Sequence, residues 1–272
     1  MVSKERQQHI ENAVDYYLTH KISVTDCAKK YGIHRTTLGQ HIKKRDPQLN
    51  TYRTYGINEH FFDNIDTEEK AYILGFFTAD GCIKSQKGAV KIALSVKDIA
   101  ILEQMRLAMQ NEKPIKIVKP TKTAFQGNDV AEMTINSVKI YSALMECGFT
   151  VQKTCHEVFC EKVPAHLRHH YIRGIFDGDG WFSYTLAHST KELGFGMGYS
   201  ILTAIRKEFC NIGVSPKYTV QPYKSIFRYR VTSTKDVEKI YDYLYKDATI
   251  FLKRKHDKLL EFCRLKISSQ KS

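Results

Sequence analysis

Two stretches of this 272-residue sequence, ILGFFTADG at residues 73–81 and IRGIFDGDG at residues 172–180, are copies of one pattern. Five residues of the first stretch recur 99 positions later, as Ile172, Gly174, Phe176, Asp179 and Gly180. A tyrosine, Tyr72 or Tyr171, precedes each copy. A repeat at this distance indicates that the chain contains two copies of one structural unit.

Each copy has the same predicted order of elements: a helix with the repeated pattern, two strands, a helix, two strands and a last helix. The predicted boundaries in the first copy are 66–80, 82–86, 89–95, 98–109, 115–119, 130–135 and 137–147. In the second copy they are 164–179, 181–186, 193–199, 201–211, 216–221, 226–232 and 234–245, followed by a helix over 250–265. The sequence therefore predicts an α+β fold with two pseudo-symmetric αββαββα half-domains.

The predicted strands alternate apolar and polar residues, which is typical of a sheet with one face packed on helices. In the strand predicted over 226–232, for example, Phe227, Tyr229 and Val231 alternate with polar residues. The opposite face is predicted to be solvated and basic, as an extended nucleic-acid surface requires. The polar residues that we expect on this face, in contact with DNA, are Lys91, Lys217, Gln221, Arg228 and Arg230.

Small residues recur inside the two helices that carry the pattern. Gly75 and Ala79 are four residues apart, as are Gly174 and Gly178, and this spacing lets two helix backbones approach closely. An interior glycine costs a helix roughly 1 kcal/mol relative to alanine. Glycines at matching positions therefore indicate that contact between the two helices offsets this cost.

An acid ends each of these helices, Asp80 in the first and Asp179 in the second. The helix dipole disfavours a carboxylate there by roughly 0.3–1 kcal/mol, and pairing the helices adds repulsion between the two acids. A divalent cation relieves both effects, because carboxylates, phosphate oxygens and water form the shell that Mg²⁺ prefers. We predict Asp80 and Asp179 as catalytic metal ligands with Mg²⁺ or Mn²⁺ as cofactor; two exposed helix-end aspartates without metal are the alternative.

Residues 1–45 are predicted to form a small all-α unit, followed by a linker over 46–65. The spacing of Ala28, Gly32 and Leu38 resembles the helix-turn-helix pattern, whose second helix enters the major groove of DNA. Polar and cationic residues are concentrated on that second helix. The predicted DNA-binding residues here are Arg35, Thr36, Thr37, Gln40, Lys43 and Lys44, with Arg45 near phosphates. A plain three-helix packing unit is the alternative.

The formal net charge of +13 favours a polyanionic partner, nucleic acid first, over a protein that is merely basic. The sequence shows neither a bilayer-spanning apolar run nor a signal-peptide core. We therefore expect an intracellular protein, in the cytoplasm of a prokaryotic or phage host, with an organelle or the nucleus as alternatives. The seven scattered cysteines predict no disulfide framework. The group Cys155, His156 and Cys160 lacks the paired spacing typical of zinc sites.

Both nonapeptides resemble the LAGLIDADG motif of homing endonucleases, with the eighth-position acid and final glycine intact and departures at the first, second and middle positions. The resemblance covers about residues 60–265 and is to single-chain members with two fused half-domains. It implies that the motif helices form the interface between half-domains, that the sheets form a DNA-binding saddle, and that Asp80 and Asp179 hold metal over the scissile phosphates. It also implies two catalytic lysines, Lys153 and Lys255, with Lys253 as the alternative to Lys255.

The resemblance implies a monomeric, site-specific endonuclease that hydrolyses both strands of a long, asymmetric double-stranded DNA target, with no obligatory protein partner and no membrane. The predicted domains are the helix-turn-helix module 1–45, the linker 46–65, and half-domains 66–150 and 151–268. Two other functions stay open, an RNA maturase that assists intron splicing and a DNA-binding transcriptional regulator without cleavage. Both acids are present, which argues against the regulator because paired helix-end carboxylates are costly without metal. A DNA-type reading module argues against the maturase.

Overall fold

The computed structural model describes residues 4–20, 22–47, 49, 55–85, 88–119, 129–150, 156–185 and 190–269. The chain divides into two compact units. The first comprises Met1–Ile57 with Gln110–Lys113, and the second comprises Asn58–Met109 with Pro114–Ser272. Among the residues described, no helix is both long and apolar enough to cross a membrane.

The described residues of the first unit form three helices, α1 (Lys4–Thr19), α2 (Val24–Lys30) and α3 (Arg35–Arg45). Their apolar faces form one core, in which the most buried side chains include Val14, Cys27, Leu38 and Ile42. Gly32, between α2 and α3, has a φ of +61°, a left-handed conformation that glycine adopts without steric cost. Gly32 is also the central residue of the spacing that resembles the helix-turn-helix pattern.

The second unit contains the two copies of the repeat. The elements of the first copy are α4 (Glu68–Asp80), β1 (Cys82–Ser85), β2 (Ala89–Ser95), α5 (Ile99–Ala108), β3 (Lys116–Val118), β4 (Val130–Asn136) and α6 (Val138–Glu146). The elements of the second copy are α7 (Arg168–Asp179), β5 (Gly180–Thr185), β6 (Thr190–Met197), α8 (Tyr199–Asn211), β7 (Gln221–Tyr223), β8 (Ile226–Val231) and α9 (Thr234–Tyr245), followed by α10 (Lys253–Ser269). The predicted α+β fold and the order of its elements are confirmed.

Each copy forms a four-stranded antiparallel sheet, with strand order β1-β2-β4-β3 in the first and β5-β6-β8-β7 in the second. The alternation in β8 places Tyr229 and Val231 in the core, whereas Arg230 is exposed. In the first sheet, Val90 and Ile92 of β2 are also fully buried. One face of each sheet therefore packs on helices, as the sequence predicted.

The prediction of a strand over 216–221 was wrong, because β7 begins only at Gln221. Ser215 and Pro216 start a turn in which the backbone N–H of Lys217 donates to the hydroxyl of Ser215, 3.4 Å away. Such side-chain hydrogen bonds and proline both favour turns over strands. Lys217 therefore lies in an exposed turn before the sheet rather than on a strand.

The helices α4 and α7 pack closely against each other at the centre of the second unit. Every residue of α4 from Ala71 to Ala79 is buried. A Cβ atom on Gly75 would collide with the carbonyl oxygen of Tyr171, and one on Gly174 would collide with that of Tyr72. The close packing that the matching glycines indicated is confirmed, and it brings the last turns of the two helices side by side.

Candidate active site at the ends of the paired helices

Asp80 and Asp179 are the last residues of α4 and α7. Asp80 is partly exposed and Asp179 is exposed. The Oδ2 atom of Asp80 lies 3.1 Å from the position that a Cβ atom on Gly178 would occupy. Because Gly178 immediately precedes Asp179, the carboxylate of Asp80 lies against the turn that carries the second acid.

The side chain of Lys255, in the first turn of α10, extends to the end of α7 that carries Asp179. Its Nζ atom donates to the carbonyl oxygens of Phe176 at 2.7 Å, Gly178 at 3.0 Å and Gly180 at 2.5 Å. These carbonyls belong to the end of α7, where the helix dipole favours a cation. The lysine thus lies beside Asp179, and its own side chain is only 9% exposed.

Burial lowers the pKa of Lys255 to about 8, since an ammonium group is destabilised away from water. The carboxylate of Asp177 acts in the opposite direction, as do those of Asp80 and Asp179, whereas Arg254 lowers the pKa further. The charges of both predicted metal ligands, Asp80 and Asp179, therefore act on the pKa of this amine. Lys253, the alternative catalytic lysine, is directed elsewhere, because it is 83% exposed and pairs with Asp257 at 2.5 Å.

The other predicted catalytic lysine, Lys153, lies outside the described residues, and so does Cys155 of the cysteine group. The catalytic role of Lys153 remains a prediction. The thiols of Cys147 and Cys160 are buried.

Asp177 is a buried acid beside the site that sequence reasoning missed. It is 1% exposed, and its carboxylate accepts hydrogen bonds from Tyr72, Tyr245 and the backbone of Leu252. The available signal was a difference between the copies, since Thr78 occupies the equivalent position of the first pattern.

The solvent face of the second sheet presents Arg228, whose guanidinium carbon lies 3.2 Å from the centre of the Tyr223 ring. The ring of Trp181 lies 5.4 Å from the same atom. Trp181 lies across Gly194, where a Cβ atom would be 2.8 Å from the indole Cε2. The indole N–H donates to Glu192 at 2.9 Å. These contacts hold Arg228 in a defined orientation on the predicted DNA face.

The remaining polar residues predicted on the sheets lie in different surroundings. Arg230 donates to Glu192 at 3.2 Å, and Lys91 is paired with Glu132. Gln221 is exposed and lies opposite Arg228 in the β7–β8 ladder. The sheet face is therefore less uniformly cationic than the sequence suggested, because acids on neighbouring strands neutralise two of its cations.

In the first unit, α3 presents most of its predicted DNA-binding residues to solvent. Thr37 is partly buried, and the exposed ones are Arg35, Thr36, Gln40, Lys43 and Lys44. Arg45, which we predicted near phosphates, pairs with Glu11, and its guanidinium donates to Asp15 at 2.8 Å. In this structure its charge ties α3 to α1.

The comparisons with known proteins agree with this arrangement. Residues 67–140 match the model of a LAGLIDADG-like domain, from the start of α4 into α6. The search of curated proteins found no match. The homing endonuclease I-WcaI, solved bound to its DNA recognition sequence, is similar over 77% of this chain and 93% of its own, with 14% identity and a TM-score of 0.54.

Two structures of the meganuclease I-SmaMI are also similar. One, bound to uncleaveable DNA, has 12% identity and a TM-score of 0.50 over 74% of this chain and 90% of its own. The other, bound to an uncleaved DNA target in the presence of calcium ions, has 14% identity and a TM-score of 0.51 over 74% and 91%.

At these identities the structural likeness concerns the fold. The shared fold includes the two four-stranded sheets and the paired helices α4 and α7 of the second unit. The sequence match covers the first motif, and the second motif repeats it 99 residues later. Residues 67–140 therefore match a LAGLIDADG-like domain, and the chain has the fold of the LAGLIDADG meganucleases.

Proposed function

We propose that this chain is a site-specific, metal-dependent DNA endonuclease that hydrolyses both strands of a long double-stranded target. The observation that carries the proposal is the placement of Asp80, Asp179 and the amine of Lys255 at the adjoining ends of two crossed helices. A purely structural role does not account for acids where the helix dipole disfavours them.

The donor set fits a divalent metal ion. Asp80 is partly exposed and Asp179 is exposed, and carboxylate oxygens are the ligands that Mg²⁺ prefers. When bound there, Mg²⁺ or Mn²⁺ would supply Lewis acidity for hydrolysis of a phosphodiester. The solved structure of I-SmaMI with DNA and calcium ions supports a site of this chemistry.

Lys255 would supply a fixed positive charge in the second half. Its ammonium is held by three carbonyl oxygens, so it needs little reorganisation during the reaction. The charge would stabilise the negative charge that develops on the phosphate when water adds to phosphorus and the sugar oxygen leaves. Lys153 would act in the first half, as the resemblance implies.

DNA binding is supported by the exposed cations of α3 and by the sheet face around Arg228. We propose that the two sheets form a saddle on one long site and that a single molecule binds each duplex. Because the two copies differ at most strand positions, they would contact different bases. The helical unit 1–45 would add affinity and a secondary sequence preference beside the cleavage site.

The experiment measures cleavage of a supercoiled plasmid in the presence of Mg²⁺. The plasmid carries the two DNA segments that flank the chain's own coding sequence, joined directly to each other with the coding sequence removed. Asp80→Asn and Asp179→Asn should each abolish double-strand cutting while DNA binding, measured by gel shift, persists. Asp242→Asn, at an exposed site on α9, is the control and should cut normally. Full activity in chelator, or in either helix-end variant, would refute the proposal.

A DNA-binding regulator without cleavage is the second candidate, because the three helices of the first unit present cations on α3. The same plasmid assay separates the two functions. A regulator would bind a selected sequence from a randomised duplex library with high affinity, yet it would leave that sequence intact with Mg²⁺ or Mn²⁺.

A further inference from the structure

We propose that Asp177 is a positioning residue that holds Lys255 at the cleavage centre of the second half. The inference rests on the proposed endonuclease function, since it assigns a residue that acts through Lys255. Asp177 itself does not reach solvent, with 1% of its surface exposed, so it is not placed to touch DNA.

The carboxylate of Asp177 joins four elements. Its Oδ2 atom accepts from the hydroxyl of Tyr72 on α4 at 2.9 Å and from the backbone N–H of Leu252 at 2.7 Å. Its Oδ1 atom accepts from the hydroxyl of Tyr245 on α9 at 2.7 Å. Burying a carboxylate away from water is costly in free energy. The three hydrogen bonds that Asp177 accepts in this arrangement offset that cost.

Leu252 connects this junction to the lysine. Its carbonyl oxygen accepts the backbone N–H groups of Lys255 at 3.0 Å and His256 at 3.2 Å, which are the first hydrogen bonds of α10. The N–H of the same residue is held by Asp177. The start of α10 is therefore fixed to α7, and Lys255 is directed onto the carbonyls of Phe176, Gly178 and Gly180.

Glu68 holds the other end of the segment before α10. Its Oε1 atom accepts the N–H groups of Thr249 at 2.7 Å and Ile250 at 3.2 Å, and its Oε2 atom accepts the Thr249 hydroxyl at 2.7 Å. Glu68 in turn pairs with Arg173 of α7 at 2.5 Å. Hydrogen bonds to carboxylates of both motif helices, Glu68 on α4 and Asp177 on α7, thus hold residues 249–252 in place.

The first half lacks this carboxylate. Thr78 stands at the position equivalent to Asp177, and its hydroxyl donates to the carbonyl of Leu74 at 2.9 Å and lies 3.1 Å from the hydroxyl of Tyr171. The first half therefore has no carboxylate at the position that Asp177 occupies in the second half. A defect at Asp177 should consequently appear on one DNA strand only, which a general loss of folding would not produce.

The test is the variant Asp177→Asn in the full chain, with nicking of each strand measured separately. An asparagine offers one oxygen where the carboxylate offers two, so at least one of the three donors loses its acceptor. The strand cut through Asp179 should be nicked about 10- to 100-fold more slowly, as misplacement of a supporting residue commonly causes. The strand cut through Asp80 should keep its rate.

A second readout needs no cleavage. The amine of Lys255 is buried and should react slowly with acetic anhydride, whereas Lys253 on the same helix is exposed and serves as an internal reference. In Asp177→Asn the acetylation of Lys255, measured by peptide mass spectrometry, should accelerate severalfold relative to Lys253. The matched control is Thr78→Val, which should change neither the strand ratio nor this protection.

If Asp177→Asn does not fold, Tyr245→Phe removes one of the three donors and should cause smaller changes in the same direction. Equal loss of nicking on both strands, with Lys255 still protected, would overturn the inference. A wild-type chain that cuts no DNA would instead overturn the proposed function. The acetylation measurement would then still show whether Asp177 holds Lys255 in place.

Discussion

Gly174 packs directly against the backbone of Tyr72, so closely that a Cβ atom on the glycine would lie 3.0 Å from the Tyr72 carbonyl carbon and overlap its oxygen. The relationship is reciprocal, because a Cβ atom on Gly75 would lie 2.9 Å from the carbonyl carbon of Tyr171. The neighbouring atoms are backbone rather than flexible side chains. The separation of α4 and α7, and with it that of the two helix-end acids, is therefore set by two glycines.

Gly75→Ala and Gly174→Ala should each lower the free energy of unfolding of the second unit by about 3 kcal/mol or more, because the helices must move apart. Urea unfolding followed by the fluorescence of Trp181, the single tryptophan, reports on this unit. Gly39→Ala is the control, since nothing lies within 4 Å of its Cβ position on α3. That change should stabilise the helix by about 0.5–1 kcal/mol, measured by circular dichroism.

The pairing of these helices was predictable because the signal is local. Small residues four apart and an acid at each helix end are readable from two nonapeptides. The partners of Asp177 were not predictable in this way, since Tyr72 and Leu252 lie 105 and 75 residues away in sequence. Which donors meet a buried carboxylate depends on how distant elements pack, and a single sequence does not encode that pairing in any short pattern.

Neutral His170 should make the protein sensitive to acid. Its Nδ1 atom lies 2.8 Å from Nη1 of the buried Arg173, and a guanidinium can only donate, so the imidazole must accept. Burial, together with the charges of Arg173 and His169, lowers the pKa of His170 to about 4, against the opposing charges of Glu68 and Asp247. The stability that neutral His170 provides is fully present above pH 6.5, the ordinary pKa of histidine in the unfolded chain. It is lost as the pH falls from there towards 4.

His170→Gln can accept from Arg173 without titrating. Between pH 7 and pH 4, the wild-type protein should therefore lose about 3 kcal/mol more stability than this variant. Urea unfolding at several pH values measures the difference. His60→Gln, at a histidine whose side chain is 64% exposed, is the control and should follow the wild type. Parallel curves for wild type and His170→Gln would show that His170 is not the group responsible.

Arg228 should specify a guanine more strongly than Arg230 does. Tyr223 and Trp181 hold its guanidinium in place, so little side-chain entropy is lost on binding, whereas Arg230 must leave Glu192. Arg228→Lys should lose about 1–3 kcal/mol of discrimination at one base pair, because lysine cannot reproduce the paired donors. Selection from a randomised duplex library, followed by sequencing, measures the preference at each position.

The aromatic support of Arg228 has its own control. Gly194→Ala should displace Trp181, since a Cβ atom there would lie 2.8 Å from the indole, and should weaken the same base preference without removing a charge. Arg230→Lys should change that position little. If Gly194→Ala leaves the preference intact, the orientation of Arg228 does not depend on Trp181.

The register of the second sheet shows a different limit of sequence reasoning. The alternation over 226–232 correctly placed Tyr229 and Val231 in the core, because period-two patterns report directly on which face is buried. The alternation over 216–221 was equally regular, yet its first residues form a turn begun by Ser215 and Pro216. Alternation does not distinguish a strand from a turn when the turn buries one aromatic side chain, here that of Tyr218.

The cations of α3 should divide into those that bind DNA and one that stabilises the first unit. Arg35 and Lys44 are exposed, whereas Arg45 pairs with Glu11 and Asp15 of α1. Replacing both Arg35 and Lys44 by glutamine in the full chain should weaken binding to the target duplex. The slope of log affinity against log salt concentration should fall by about two, because two fewer phosphates are neutralised.

Arg45→Gln is the matched control, since it removes one cation from the same helix. It should leave the salt slope nearly unchanged and instead lower the stability of the three-helix unit only slightly, because exposed ion pairs contribute little. Fluorescence anisotropy of a labelled target duplex at several salt concentrations measures the slopes. If Arg45→Gln changes the slope as much as each of the other replacements does, Arg45 leaves its acidic partners when DNA binds, and the whole C-terminal turn of α3 contacts the phosphate backbone.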